Sequence, residues 1–219
     1  MSGGLYDLHT HTTMTDGDLL PIELVRRLAV LGYEVVAIAD HVDCSNIDQV
    51  ITTTSCLKKS ARHFGVHLLC GVEITHVPPE EIPELAAYAK EKGAEVVVVH
   101  GESPVEPVAP GTNHAACSSR DVDILGHPGF ITPEDAHLAA KNGVALEITS
   151  RNGHNRTNGY VAVTAREAGC MVVVDSDAHA PSDLLTREAK MAVARGAGLT
   201  EDECARSLSI NIVSDLLGI

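Results

Sequence analysis

Short runs of apolar, largely β-branched residues recur along the chain at 5–8, 35–39, 66–74, 96–99, 122–125, 144–148 and 171–174. Between them, over 21–31, 46–63, 80–92, 133–142 and 157–168, apolar residues return every three or four positions, as on one face of a helix. Seven strands alternating with helices predict a parallel sheet or barrel covered by helices. Pro21, Pro79 and Pro133 stand at or near the helical starts, where a missing N–H costs little. Gly32, Gly65, Gly93, Gly143 and Gly169 follow the helical stretches, as C-terminal caps do. This regular return predicts one continuous α/β barrel domain over residues 1–219. The Pro-rich stretch 101–113 reads as an ordered but irregular connection, either a lid or a surface excursion. The tail from 182 onward reads as helical and packed outside the barrel. No GxGxxG or P-loop pattern follows any strand, so a nucleotide-binding fold lacks its signature.

Composition sharpens this picture. Hydrophobic residues are 44% of the 219, yet aromatics are only 3% and Trp is absent, so Val, Leu, Ile and Ala must build the core. Cys44, Cys56, Cys70, Cys117, Cys170 and Cys204 form no C-x-x-C pair and read as reduced, mostly buried small apolar residues. They face no His in a nucleophile pattern, which disfavours thiol catalysis. The opening MSGGLYDLHTH has no basic stretch followed by a long apolar run, and no segment approaches a membrane span, so the chain reads as cytoplasmic. The formal charge of −14 argues against intact nucleic acid as the main partner, because duplex binding needs a basic surface. Bound cations would still let so acidic a chain act on phosphates.

The polar residues carry the chemistry through their positions. His9 and His11 follow the first apolar run, Asp40-His41 the second, Glu73 lies in the third, and His100 and His127 end the fourth and fifth. Asp177 and His179 end the seventh, in DSDAH. From His11 to His127 the steps are 30, 32, 27 and 27 residues, each about one βα unit. In a parallel barrel the C-terminal strand ends share one face, where active sites sit. One such His is ordinarily a structural residue; six strand ends in register point to a metal site. His and carboxylate donors favour Zn²⁺, Mn²⁺ or Fe²⁺, and a bridging Glu73 would hold two ions at a spacing suited to activating a hydroxide against a phosphoryl group.

DLHTHTTMTDG, IADH, GVE, VVHG, GHPG and DSDAH together resemble the PHP (polymerase and histidinol phosphatase) family over nearly the whole chain, in the manner of its short stand-alone phosphatases. The resemblance implies a distorted (β/α)7 TIM-like barrel with a trinuclear site on its C-terminal face. It implies a first ion on His9, His11, Glu73 and Asp177, a second on Glu73, His100 and His127, and a third on Asp16, His41 and His179. Asp16 is where the family varies most, and it also suits an Asp-Gly turn.

These readings predict a phosphomonoesterase of the histidinol-phosphatase type that uses two to three divalent ions and a small-molecule phosphate ester. Asp177 and His179 would assist proton transfer, and Arg151, His154 and Arg156, following strand six, would bind substrate phosphate. Asp7 and Asp40 are candidates to orient imidazoles, and Glu147 is either such a group or a structural one. His76 and His114 fall in active-face loops, whereas His63, His67 and His137 read as structural or exposed. The rivals are a phosphodiesterase or nucleotidase on the same ions, an amidohydrolase-like C–N hydrolase, and a metal-binding module without turnover. Amidohydrolases often use a strand-end Lys where this chain has His100, and no ligand is missing as a module without turnover would allow.

Overall fold

The computed structural model describes residues 4–218. The chain runs β1 (Leu5–Asp7), α1 (Pro21–Val30), β2 (Tyr33–Ile38), β3 (His41–Val42), α2 (Ile47–His63), β4 (His67–Ile74), α3 (Ile82–Lys92), β5 (Val96–His100), α4 (Thr112–Ser118), β6 (Ile124–Gly126), α5 (Pro133–Asn142), β7 (Ala145–Thr149), α6 (Asn158–Ala168), β8 (Val172–Asp175), α7 (Arg187–Gly196), α8 (Glu201–Ser207) and α9 (Asn211–Leu217). All strand pairs are parallel, in the order β1-β2-β4-β5-β6-β7-β8. The two residues of β3 prolong β2 along β4 after the break at Ala39-Asp40, so β2 and β3 share one barrel position. A bridge between Thr10 and Ala178, with His11 N–H donating to Ala178 O at 2.9 Å, nearly closes the sheet between β1 and β8. The architecture is a nearly closed, parallel seven-stranded barrel ringed by helices, a distorted TIM-like barrel.

Local chemistry explains the boundaries. Thr132 caps α5 by accepting the Asp135 N–H, and Pro133 occupies the first turn. Gly93 and Gly143 end α3 and α5 in the left-handed conformation, at φ 101° and 83°. The barrel interior is filled by Tyr6, Leu8, Ala37, Leu69, Val96, Val98, Ile124, Ala145 and Val173, while a larger Val-, Ile- and Ala-rich layer lies between sheet and helices.

Three features depart from the sequence reading. Helix α4 begins inside the stretch read as irregular; seven residues, TNHAACS, are too few to display a helical period. The tail does not lie wholly outside, because Ile212 and Val213 of α9 join the barrel-interior cluster with Tyr6 and Met171. All six cysteines are free, but only Cys70, Cys117 and Cys204 are fully buried, and Cys44 and Cys56 are exposed. No helix among the described residues is long and apolar enough to cross a membrane.

Candidate metal centre

Because every barrel strand points the same way, β1, β2–β3, β4, β5, β6 and β8 deliver His9 and His11, His41, Glu73, His100, His127, and Asp177 and His179 to one basin. The i, i+2 spacing of His9 and His11 on extended chain turns both rings inward, with centroids 5.1 Å apart. Among the described residues, three with side chains adopt left-handed backbone, His76 (φ 54°), His127 (φ 28°) and Asp177 (φ 51°), and all three lie on this face. Such conformations are costly for L-residues and concentrate where a site dictates them.

Glu73, fully buried, is the hub. Its Oε1 lies 3.2 Å from His9 Nε2 and 3.6 Å from His127 Nε2; its Oε2 lies 2.6 Å from His41 Nδ1 and 3.6 Å from His11 Nε2. Asp177 faces it, with Oδ1 3.2 Å from His11 Nε2 and Oδ2 3.5 Å from His127 Nε2. At the rim, Asp16 reaches His41 Nε2 at 3.4 Å and His179 Nε2 at 3.3 Å. Potential donor atoms of His11, Asp16, His41 and His179 lie within 4.8 Å of one another, as do those of His9, His11 and Glu73, of His9, His127 and Asp177, and of His100, His127 and His154.

Whether these residues fit cations can be tested on the site's own polar atoms. His9 Nε2, both ring nitrogens of His11, Glu73 Oε1, His127 Nδ1 and Asp177 Oδ1 are buried without a hydrogen-bond partner. Buried polar atoms are normally satisfied, so this many unpaired donor atoms in one basin, on a mixed His and carboxylate set, fit divalent metal ions. Electrostatics agree. Burial opposes ionisation of Glu73 and Asp177, yet His9 and its neighbouring imidazoles hold both carboxyls well below their ordinary range. Burial pushes the His11 imidazole down to about 3, so it stays neutral and able to coordinate. Burial would also lower His9 and His41, but carboxylates outweigh it: Glu147, Glu73 and Asp177 raise His9, and Glu73 and Asp16 raise His41 to about 10.

The centre opens into a cleft of about 420 Å³ lined by Asp16, His41, His100, Glu106, Arg151, His154 and His179, among others. Among the described residues, Arg151 is the one Arg or Lys on its walls, with Nη1 3.4 Å from Asp183 Oδ2. Arg156 is not brought there; it is exposed and lines a separate groove with Asn155, Asn158 and Gly196. His114 is exposed and paired with Asp135 at 2.7 Å.

Asp40 and Asp7 contact no imidazole as orienting groups would. Asp40 accepts from Thr12 N, Thr12 Oγ1 and Thr15 Oγ1 at 2.6–2.8 Å, shaping the turn that carries Asp16. The orienting group is Glu147, whose Oε1 accepts from His9 Nδ1 at 2.7 Å and whose Oε2 accepts from His127 N–H at 2.8 Å. Two participants escaped the sequence reading. Glu106 sits in the irregular loop, which has no periodicity to place it. Lys190 lies on the tail that reads as helical and packed outside the barrel, yet it is buried, donates to Tyr6 O, and has Nζ 4.0 Å from Asp175 Oδ1. Burial pushes Asp175 up to about 8, and Lys190 opposes that rise. Lys190 thus counters the burial-driven rise of both Asp7 and Asp175 beneath the centre.

Fold and site together define a PHP-like barrel protein with clustered His and carboxylate groups at its open end. The chain belongs to the RNase P subunit p30 family, whose model matches residues 4–214. It is 49% identical over 205 residues to an uncharacterized protein of Methanocaldococcus jannaschii, covering 93% of this chain and 94% of the relative. Ribonuclease P protein component 3 of Methanosarcina acetivorans is 28% identical over 93% of this chain and 85% of its own. A probable phosphatase of Thermoanaerobacter is 29% identical over 90% and 87%. Among solved structures, archaeal ribonuclease P with mature tRNA contains a chain of TM-score 0.68 at 16% identity (98% and 93% covered). The putative histidinol phosphatase of Listeria monocytogenes matches at TM-score 0.61 and 13% identity (82% and 97% covered).

These findings correct one expectation. A small phosphate ester, with intact nucleic acid set aside because of the −14 charge, does not describe the partners of a family defined by a ribonuclease P subunit. Net charge sums over the whole surface, whereas a subunit of an assembly can be held by a limited patch.

Proposed function

We propose that this chain is a metal-dependent phosphoester hydrolase that removes a terminal phosphate from an RNA end. The observation that carries the reading is the basin of buried, unpartnered His, Glu and Asp atoms around Glu73. Of its parts, His9, His11, Glu73 and Asp177 suit one ion, Glu73, His100 and His127 a second, and Asp16, His41 and His179 a third. Bound divalent ions supply a nucleophile from water at neutral pH and offset charge on the phosphoryl group.

The chain's own residues do the rest. Arg151 on the cleft wall places a guanidinium where phosphate oxygens would lie, a geometry suited to charge-assisted bonds. One Arg and no Lys on the described walls, beside Asp16, Asp43 and Glu106, suits one terminal phosphate better than a long polyanionic backbone. His179 Nδ1 donates to Asp177 O at 3.0 Å, which leaves Nε2 as an acceptor facing the cleft for an ion or a proton. Asp177 lies beside it, with Oδ1 3.2 Å from His11 Nε2.

A second reading, a ribonucleoprotein subunit without turnover, is favoured by the family itself. One assay separates the two. Ion-free protein reconstituted with Mn²⁺ or Zn²⁺ is incubated with 5′- and 3′-phosphorylated oligoribonucleotides and an unphosphorylated control. Phosphate release that chelator abolishes supports the hydrolase; RNA binding with no release from either end supports the subunit reading.

A further inference from the structure

We propose that Glu106 and His154 are ligands of one metal ion together with His100 and His127, and that Glu106 is its exchangeable ligand, delivered by the loop over the cleft. The assignment rests on the metal-binding reading above and adds to it two residues that lie outside the strand-end pattern.

His100, His127 and His154 are all buried, and each offers a ligand atom within 4.8 Å of the others. His154 Nδ1 has no hydrogen-bond partner, so this buried ring is not explained as a structural donor. The Glu106 carboxylate spans the opening between these rings, with Oε1 3.3 Å from His154 Nε2 and Oε2 3.3 Å from His100 Nε2. With Glu73, already assigned to the second ion, His154 and Glu106 join His100 and His127 in a five-donor set, the expanded coordination Zn²⁺ accepts where one position exchanges. His76, with its Nε2 3.1 Å from Glu106 Oε2, backs the carboxylate from the outer side.

The loop is built to hold Glu106 there. At its base the Glu102 carboxylate accepts from Gly111 N and Asn113 N at 2.9 and 3.0 Å, and Asn113 returns the contact by accepting from Glu102 N at 2.9 Å. Asn113 Nδ2 also donates to Pro128 O at 2.8 Å, tying the loop to the His127 turn. Gly129 permits this approach, because a Cβ there would lie 2.0 Å from Glu102 O. At the tip, Val105 packs on Gly153, the neighbour of His154. The base is therefore fixed, while the Glu106 side chain remains 38% exposed and the three rings are almost fully enclosed. A ligand so placed can yield its coordination position to an incoming phosphate oxygen.

The test uses Zn²⁺ alone on ion-free full-length chain, with E106Q, E106A and H154A beside the wild type and D16N as a control outside this set. Chelator competition should show one ion bound at least about tenfold more weakly in E106A and H154A, with the remaining ions unaffected. E106Q, which keeps the shape of the loop, should weaken the same ion. Hydrogen exchange of amides 103–111 should slow on Zn²⁺ addition in wild type and D16N but not in E106A. Unchanged ion affinities in all three variants, with loop exchange indifferent to Zn²⁺, would overturn this assignment alone. A wild type that binds no ion would overturn the metal reading of the whole centre.

Discussion

Glu147→Gln is the most discriminating single change, because it alters hydrogen-bond polarity without altering shape. In the native centre both partners of Glu147 are donors: His9 Nδ1–H at 2.7 Å and His127 N–H at 2.8 Å. A Gln offers one acceptor and one NH2, so one of these bonds becomes a donor facing a donor in a fully buried site. Leaving a buried donor unsatisfied costs about 1–3 kcal/mol. If His9 loses its acceptor, the tautomer that presents Nε2 to the basin is no longer fixed. If His127 loses it, the left-handed backbone at φ 28° loses its anchor. Either outcome should weaken ion binding by roughly 10–100-fold, the scale found for groups that orient metal ligands. The assay is chelator-competition titration with Zn²⁺, paired with thermal denaturation of the ion-free protein. Wild-type affinity in a folded Glu147→Gln variant would refute the orienting role. A fall in ion-free stability with no change in affinity would make Glu147 purely structural.

Other expectations test different parts of the centre. Asp16→Asn retains the turn but removes the charge shared by His41 and His179, so the folded variant should lose about one ion per chain by elemental analysis; full ion content would remove Asp16 from the site. Arg151→Ala should lower kcat/KM on a phosphorylated oligoribonucleotide by about 1.5–3 kcal/mol, roughly ten- to a hundredfold; an unchanged value would return Arg151 to its contact with Asp183. In the ion-free protein Glu73 and Asp16 outweigh burial and raise His41 from 6.5 to about 10. That pairing stabilises the fold fully below about pH 6.5 and is lost as pH rises toward about 10, by linkage. A metal ligand must be neutral, so Zn²⁺ added at pH 8 should release protons into a weak buffer, and an absence of release would contradict the raised His41.

Much of this was legible in the sequence because a parallel barrel repeats one unit. Apolar runs of fixed spacing locate the strands, and parallel direction then sends every strand-end residue to one face, so His9, His11, His41, Glu73, His100 and His127 could be gathered without knowing a single distance. Residues whose place depends on packing were not legible. Lys190 looks like a solvated helix lysine until the register of α7 against β1 buries it over the Tyr6 ring, 3.7 Å away. Glu106 belongs to a proline-flanked loop whose path is set by Glu102 and Asn113 at its base. Arg156 follows the same strand as Arg151, but the turn at Gly153–Thr157 directs it to another groove. The partner expectation erred differently: bulk charge is a property of composition, whereas recognition is a property of one patch.

Elemental analysis combined with diffraction at the metal absorption edge tests the central claim most directly. Crystals of protein reconstituted with Zn²⁺ or Mn²⁺ should show two to three anomalous peaks at the C-terminal end of the barrel. Each should lie about 2.0–2.2 Å from nitrogen and oxygen donors of His9, His11, Glu73, His100, His127, Asp177 and their neighbours. A folded, reconstituted protein with no anomalous peak in that basin, and with ion content near zero, would contradict a metal-dependent hydrolase at this site.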